Sequence, residues 1–452
     1  MMDNLPLEMI EHILKFVDGH TLIKTKAVCK KWNDVARLFD ENQPHWRNLC
    51  FKEISRVVLL ELTIKKFPYW RPSTKNVDEL NWKILYLTWL QWKVLNNFLY
   101  HIDVLLEQKA CFVTCMKIVE NSIVIGLHSG EIKSWETSGG EPFLIARHRS
   151  RVTCLEVLCV LDERKEAKAD KRLNYILSTS HDRMVKISYL IEESMEPKVF
   201  DICHHEHATI MIRTQQSYFA TLDESGGIAV FLVSAPQLDG IMPIINFIVL
   251  YHPCKPPVVS LDLWGTKIIA MTKKGTIMAA DFAEGDDTMV EVCSLENDTV
   301  HVTVVEDSST YFSKVNHYEG LEILQYYNWR NNIFMWISDD HKMLLSLNGS
   351  EYYEYNIEKV LKTYPRAALI YGNMFILGMN SGSVVMYYFE TPENLLSLDL
   401  LNYHWQHPVA DKPVMGMDIW ESSSGPQLAV LSHTNVHLVD WPFELDDLIY
   451  GE

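Results

Sequence analysis

Apolar residues recur with a helical period over the first hundred positions and with strand-like alternation after them. Residues 5–17 place Met9, Ile10, Ile13, Leu14 and Val17 on one helical stripe, with Pro6 where a first-turn proline is tolerated. Asp18-Gly19 stops that helix. A second short helix is predicted over 20–27 and a third over 29–39, with Trp32, Val35, Ala36 and Phe39 on its apolar side. Three helices of this length bury little surface by themselves, so the pattern predicts a module completed by a partner. Helical patterns continue over 51–62 and 81–99, separated by the breaker-rich stretch 68–76. In the second, Trp82, Leu85, Trp89 and Trp92 form a packed stripe. Only Lys83 and Lys93 are basic there, which does not suit a cationic helix lying on a membrane.

From about residue 105 one phrase repeats: an apolar strand, a small or polar turn, then a second apolar strand. Its copies lie at 122–136, 175–189, 218–232, 267–281, 333–347, 374–388 and 427–441, each preceded by another apolar strand. Several short strands per repeat at this spacing are the pattern of β-propeller blades. A blade buries both faces only when its neighbours close a ring around the core. The predicted architecture is α plus all-β and multidomain. It comprises a three-helix module (1–50), a helical linker (51–104) and a seven-bladed propeller (105–445), with eight blades if 300–328 supplies another.

Charge changes the picture in one respect. The formal net charge is −18. Residues 1–105 carry fifteen Lys/Arg against twelve Asp/Glu (+3), and the remainder twenty-six against forty-seven (−21). So acidic a second part repels phosphate backbones, which disfavours nucleic acid as its partner. The longest apolar stretch, 241–251, contains Pro243 and Asn246 and is too short to span a bilayer. Nine scattered cysteines suit reduced thiols, and the N-terminus has no secretory pattern; cytoplasmic or nuclear residence is the expectation.

Leu5-Pro6, Glu8, Ile10, Ile13-Leu14, Leu22, Val28-Cys29-Lys30-Lys31-Trp32 and Trp46 follow one another with an order and spacing that resemble the F-box. Ser180-His181-Asp182 with Lys186-Ile187, Gly130-Glu131-Ile132-Lys133 with Trp135-Glu136, and Gly382-Ser383-Val384 look like degenerate WD repeats. The resemblance implies a substrate-recognition subunit of a Skp–cullin–F-box ubiquitin ligase, itself non-catalytic. Its F-box would bind a Skp-type adaptor and its propeller the protein to be ubiquitinated. Carried over by position, Leu5, Pro6, Ile10, Ile13, Leu14, Leu22, Val28, Cys29 and Trp32 are contacts or supports of the adaptor interface. The alternative is a non-degradative scaffold for protein–protein interaction.

The turns of the repeated phrase gather on one rim, with His128, Asp182, Glu224, Asp339 and His433 among them. Arg149, Arg151, Arg183, Lys273 and Lys274 are the candidate substrate-binding cations, suited to an acidic or phosphorylated peptide; a solvated set of loops has the same composition. His204-His205-Glu206-His207 invites a metal, but adjacent residues on a strand or loop point apart. Cys111 and Cys115 read as buried free thiols on one side of a strand. No cofactor or metal is predicted, and no phosphate loop, nucleophile elbow or zinc-protease motif is present. The mixed-charge run 162–172 reads as an exposed loop.

Overall fold

In a computed structural model of the chain, the described residues are 5–67, 80–107, 111–119, 122–136, 141–161, 172–191, 194–215, 217–234, 243–252, 257–273, 276–283, 289–293, 312–314, 323–330, 332–347, 351–422 and 424–443. Most of the run 162–172, the stretch 68–76 and Lys274 lie outside them.

Six helices come first: α1 (Leu7–Leu14), α2 (Gly19–Lys24), α3 (Lys30–Asp40), α4 (Gln43–Glu53), α5 (Arg56–Lys66) and α6 (Trp82–Lys93). Each start reflects local chemistry. Asp18 caps α2 by accepting the Thr21 N–H at 2.8 Å, and Asn42, Ser55 and Asn81 cap α4, α5 and α6 in the same manner. Pro6 is itself the residue before α1 rather than part of its first turn. The predicted helix at 51–62 proves to be two, because Ile54 leaves the helical region with φ −113° and ψ 130°. Trp46, buried, donates its indole N–H to the Phe39 carbonyl at 2.8 Å and ties α4 to α3.

Seven antiparallel sheets follow, so the propeller has seven blades. Each predicted hairpin forms the second and third strands of a blade. Six blades run consecutively, over 113–147, 152–204, 209–251, 258–293, 312–355 and 365–408. The seventh uses 414–440 for three strands and takes its outermost strand, His101–Glu107, from the end of the linker. The propeller therefore begins at His101, ahead of the boundary expected at 105, and that first strand belongs to the last blade. Pairing of His101 with Asp440 through Glu107 with Asn435 closes the ring, so no blade can peel away without breaking a ladder. The described residues within 300–328 form no eighth blade. They add an extra outer strand, Phe312–Lys314, and the innermost strand, Ile323–Trp329, to blade five.

Five of the hairpin turns share one conformation. The N–H of the fourth residue bonds back to the carbonyl of the first, and that fourth residue has positive φ: Gly130 (88°), Arg183 (70°), Gly226 (90°), His341 (61°) and Gly382 (85°). Glycine adopts this geometry at no steric cost, whereas side chains are strained by roughly 1–2 kcal/mol. Arg183→Gly is therefore expected to raise stability by about 0.5–1 kcal/mol, the relief being partly offset by glycine's greater freedom when unfolded. Denaturant titration checks it, and a loss of stability would mean that the arginine side chain holds the turn.

The helices and the propeller share one apolar core that runs from Ile10 and Leu14 through Trp82, Leu85 and Trp89 to Met374, Leu428 and Trp441. Polar contacts pin the seam. Trp92 donates to the buried Glu421 carboxylate at 2.6 Å and Tyr371 donates to the same oxygen at 2.8 Å. The Trp89 indole reaches Asn373 at 3.0 Å, and Arg330 grips Glu61 with two bonds of 2.7 and 2.6 Å. Gly372, Asn373 and Glu421 lie where innermost strands turn into second strands, so the helices dock on that face of the disc. The hairpin turns lie on the other.

Candidate functional site

Two surfaces at opposite ends of the molecule stand out. On α1 only Ile10 and Leu14 are buried, at 0% exposure; on the neighbouring flank Met9 and Ile13 are 50% and 39% exposed, and Phe16, just past the end of the helix, is 70% exposed. Leu7, at the start of α1, and Val28, ahead of α3, are also half-exposed. A short helix apolar on both sides is complete only when its outer side is covered. The residues expected at an adaptor interface therefore divide. Pro6, Ile13 and Val28 face outward, and Leu5 and Cys29 are partly covered. Ile10, Leu14, Leu22 and Trp32 lie in the module's own core, where they support the surface rather than form it. Leu7, Met9 and Phe16 are the exposed members that the motif alone did not single out.

The family model of the F-box domain matches residues 2–43. The chain carries an F-box domain. F-box domains in general bind Skp-type adaptors, and propellers bind proteins. Comparison with curated proteins finds no match. Among solved structures, a computationally designed protein, Ika8, aligns over 75% of this chain and 99% of its own at 15% identity and a TM-score of 0.46. The WD40 β-propeller domain of Doa1 aligns over 76% and 97% at 10% identity and a TM-score of 0.49.

On the face away from the F-box the central channel opens. In every blade the pairing of the first two strands skips one residue near its start, leaving Thr114, Thr153, Ile210, Val259, Leu324, Arg366 and Met415 as bulges. Four of these, Thr114, Thr153, Ile210 and Met415, line a cavity of about 710 Å³ at the mouth. Phe112, Arg151 and Lys412 stand around it with His128, His181 and His433 from three hairpin turns. Arg151 donates to the His181 ring at 2.6 Å, Glu224 approaches the same nitrogen at 3.7 Å, and Lys412 donates to Thr434 at 3.2 Å.

Of the candidate substrate-binding cations, only Arg151 lines this cavity. Arg149, Arg183 and Lys273 are exposed but do not line it, and Lys274 is outside the described residues. Arg149 contributes its backbone N–H to Asp182 at 2.8 Å, and Arg183 donates to the Glu206 carbonyl at 3.3 Å. Phe112, Lys412 and Met415 were not expected. A signal for the bulges was present, since Val113-Thr114-Cys115 and Val152-Thr153-Cys154 repeat one tripeptide at the same position of two blades.

Deeper in the channel the charges are used internally. Lys117 pairs with Glu156 at 3.0 Å, Arg213 with Glu156 at 3.4 Å, and Lys65 of α5 reaches Asp418 at 3.0 Å. Burial pushes the Asp262 carboxyl up to about 6, against the pull of Arg213. A raised carboxyl pKa means that the folded state holds the proton more tightly. The contribution is full below the ordinary value of 3.8 and is lost as pH rises through about 6. Asp262→Asn is thus expected to stabilise the protein by roughly 1–2 kcal/mol more at pH 7.5 than at pH 4, since about two pH units correspond to under ~3 kcal/mol and Asp262 is only partly buried. Equal effects at both pH values would contradict the assignment.

His205 turns away from its histidine neighbours. It is buried, with its ring 3.0 Å from the Thr221 hydroxyl and 3.8 Å from the Asp223 carboxylate, while His204 and His207 are exposed. Burial raises the Asp223 carboxyl, but the nearby His205 ring and hydrogen bonds from Ser225 and Gly227 outweigh it and hold the group at about 2. The previous blade repeats the device, with His148 bound to Asp182 at 3.1 Å and Ser178 at 2.9 Å. Both networks brace a hairpin turn against the preceding loop. Cys111 lies ahead of the strand Val113–Val119, not on it, and accepts the Ser129 N–H at 3.2 Å; both it and Cys115 are free and partly buried. Among the described residues no three His, Cys, Asp or Glu come together as a metal requires, and no helix is long and apolar enough to cross a membrane.

Proposed function

We propose that the chain is the substrate-recognition subunit of a Skp–cullin–F-box ubiquitin ligase. The observation that carries this reading is the exposed apolar stripe of Met9, Ile13 and Phe16 on a matched F-box domain. The continuous core from F-box to propeller adds to it. The adaptor docks on the stripe, the propeller's open face captures the protein to be modified, and α4–α6 hold the two at a fixed separation.

Such a subunit acts through proximity. It brings a lysine of the captured protein to a ubiquitin thioester carried by the recruited conjugating enzyme, and a rigid mount raises the effective concentration. No catalytic side chain is required of the chain itself. The setting is the cytoplasm or nucleus, where free thiols such as Cys50 and Cys203 persist. Co-purification of the full chain with a Skp-type adaptor and cullin tests the proposal. A stable stoichiometric complex is expected, and a chain that stays apart from the adaptor at micromolar concentrations overturns it.

A further inference from the structure

The channel mouth has a composition that narrows what it takes, an inference that rests on the receptor reading above. A cavity of about 710 Å³ accommodates a few side chains rather than a flat surface. Phe112 is 58% exposed and Met415 36%, and with Ile210 they leave apolar area open to water at a concave site. Two fixed cations flank it, Arg151 on the blade-two side and Lys412 on the blade-seven side. None of the described residues that line it is Asp or Glu, with Glu224 standing beside His181 at 3.7 Å, although the chain as a whole carries −18. That local reversal of charge is complementary to an acidic segment.

The choice between carboxylate and phosphate follows from the donors. Recognition of a phosphate dianion draws on converging arginines, whose planar forks bind its oxygens in pairs. Among the described residues Arg151 is the only guanidinium lining the cavity, and it already donates to His181 at 2.6 Å. A single arginine and a single lysine on opposite sides of an apolar hollow match separate monoanions on either side of an apolar group. We propose that the mouth takes an extended segment of the partner protein in which a large apolar side chain enters the cavity and carboxylates beside it face Arg151 and Lys412, with no phosphate required.

The test is selection of short random peptides displayed on phage against the immobilised full chain with its adaptor bound. Such peptides are unphosphorylated. The expected result is enrichment of sequences with an aromatic or large aliphatic residue flanked by Asp or Glu. Synthetic copies should bind at least about tenfold more weakly when Lys replaces the acidic residues or Ser the apolar one. The same tenfold loss is expected with Arg151→Glu/Lys412→Glu, whose thermal unfolding should match the native chain. Enrichment of basic or purely polar peptides, no enrichment, or a copy that gains more than tenfold from phosphoserine in place of its acidic residues would each overturn the inference. Retained adaptor binding in the same preparation confines such a failure to the mouth. Peptide binding by a chain that never captures the adaptor would instead sink the receptor reading alone.

Discussion

Replacing Ile13 and Phe16 together by Ala is expected to weaken adaptor binding by roughly a hundredfold while leaving the unfolding midpoint nearly unchanged. Ile13 on α1 and Phe16 just past its end are 39% and 70% exposed, so the free chain loses little packing. Truncation of apolar anchors at an interface costs about 1–2 kcal/mol each, and two on one stripe reach the stated ratio. Ile10→Ala, three residues before Ile13 on the same helix, has the opposite signature. Ile10 is 0% exposed in the shared core, and its truncation is expected to cost about 2–5 kcal/mol of stability. Titration calorimetry with the adaptor, beside denaturant unfolding of the free chain, separates the two. A double variant that binds as the native chain does would place the interface elsewhere.

The second large effect is expected at the seam. Trp92→Ala should lower stability by about 3–5 kcal/mol, through the lost indole and the vacated space. It also strips one of two hydrogen-bond donors from Glu421, whose carboxyl burial already pushes up and which the bonds from Trp92 and Tyr371 pull down. The native indole also packs on Tyr371 and Trp441, at ring separations of 5.6 and 6.2 Å. Trp92→Phe keeps most of this packing but loses the bond to a carboxylate, so about 1–3 kcal/mol is expected. Hydrogen exchange localises the change: α6 and the Gly372–Asn373 turn should lose protection while the blade-three hairpin keeps it. A loss below about 1 kcal/mol for Trp92→Ala would mean that the helices and propeller do not support one another.

What the sequence makes legible is what depends on near neighbours. The first helix, the tryptophan stripe of α6 and the seven hairpins each declare themselves within about fifteen residues, and all are present in the fold. Features that depend on distant partners are not legible. The strand His101–Glu107 straddles the boundary expected at 105, and it pairs with residues beyond 430 because ring closure needs a strand from the other end. His205 sits in a histidine-rich run, and only the folded position of Thr221 and Asp223 shows why it is there. The F-box motif likewise cannot separate Ile13 from Ile10, because on a short helix buried and exposed positions alternate within one turn. At the mouth, the bulges turn side chains out of the strand alternation, so Thr114 and Met415 escaped a period-two reading.

The most direct test of the central claim is ubiquitin transfer in a reconstituted ligase, using the full chain and a protein captured on its propeller. The account predicts transfer to that protein by the native chain. With Ile13→Ala/Phe16→Ala, transfer is lost while the capture itself persists. A captured protein that receives no ubiquitin, although adaptor and cullin are bound to the same chain, would contradict the account and leave a scaffold in its place.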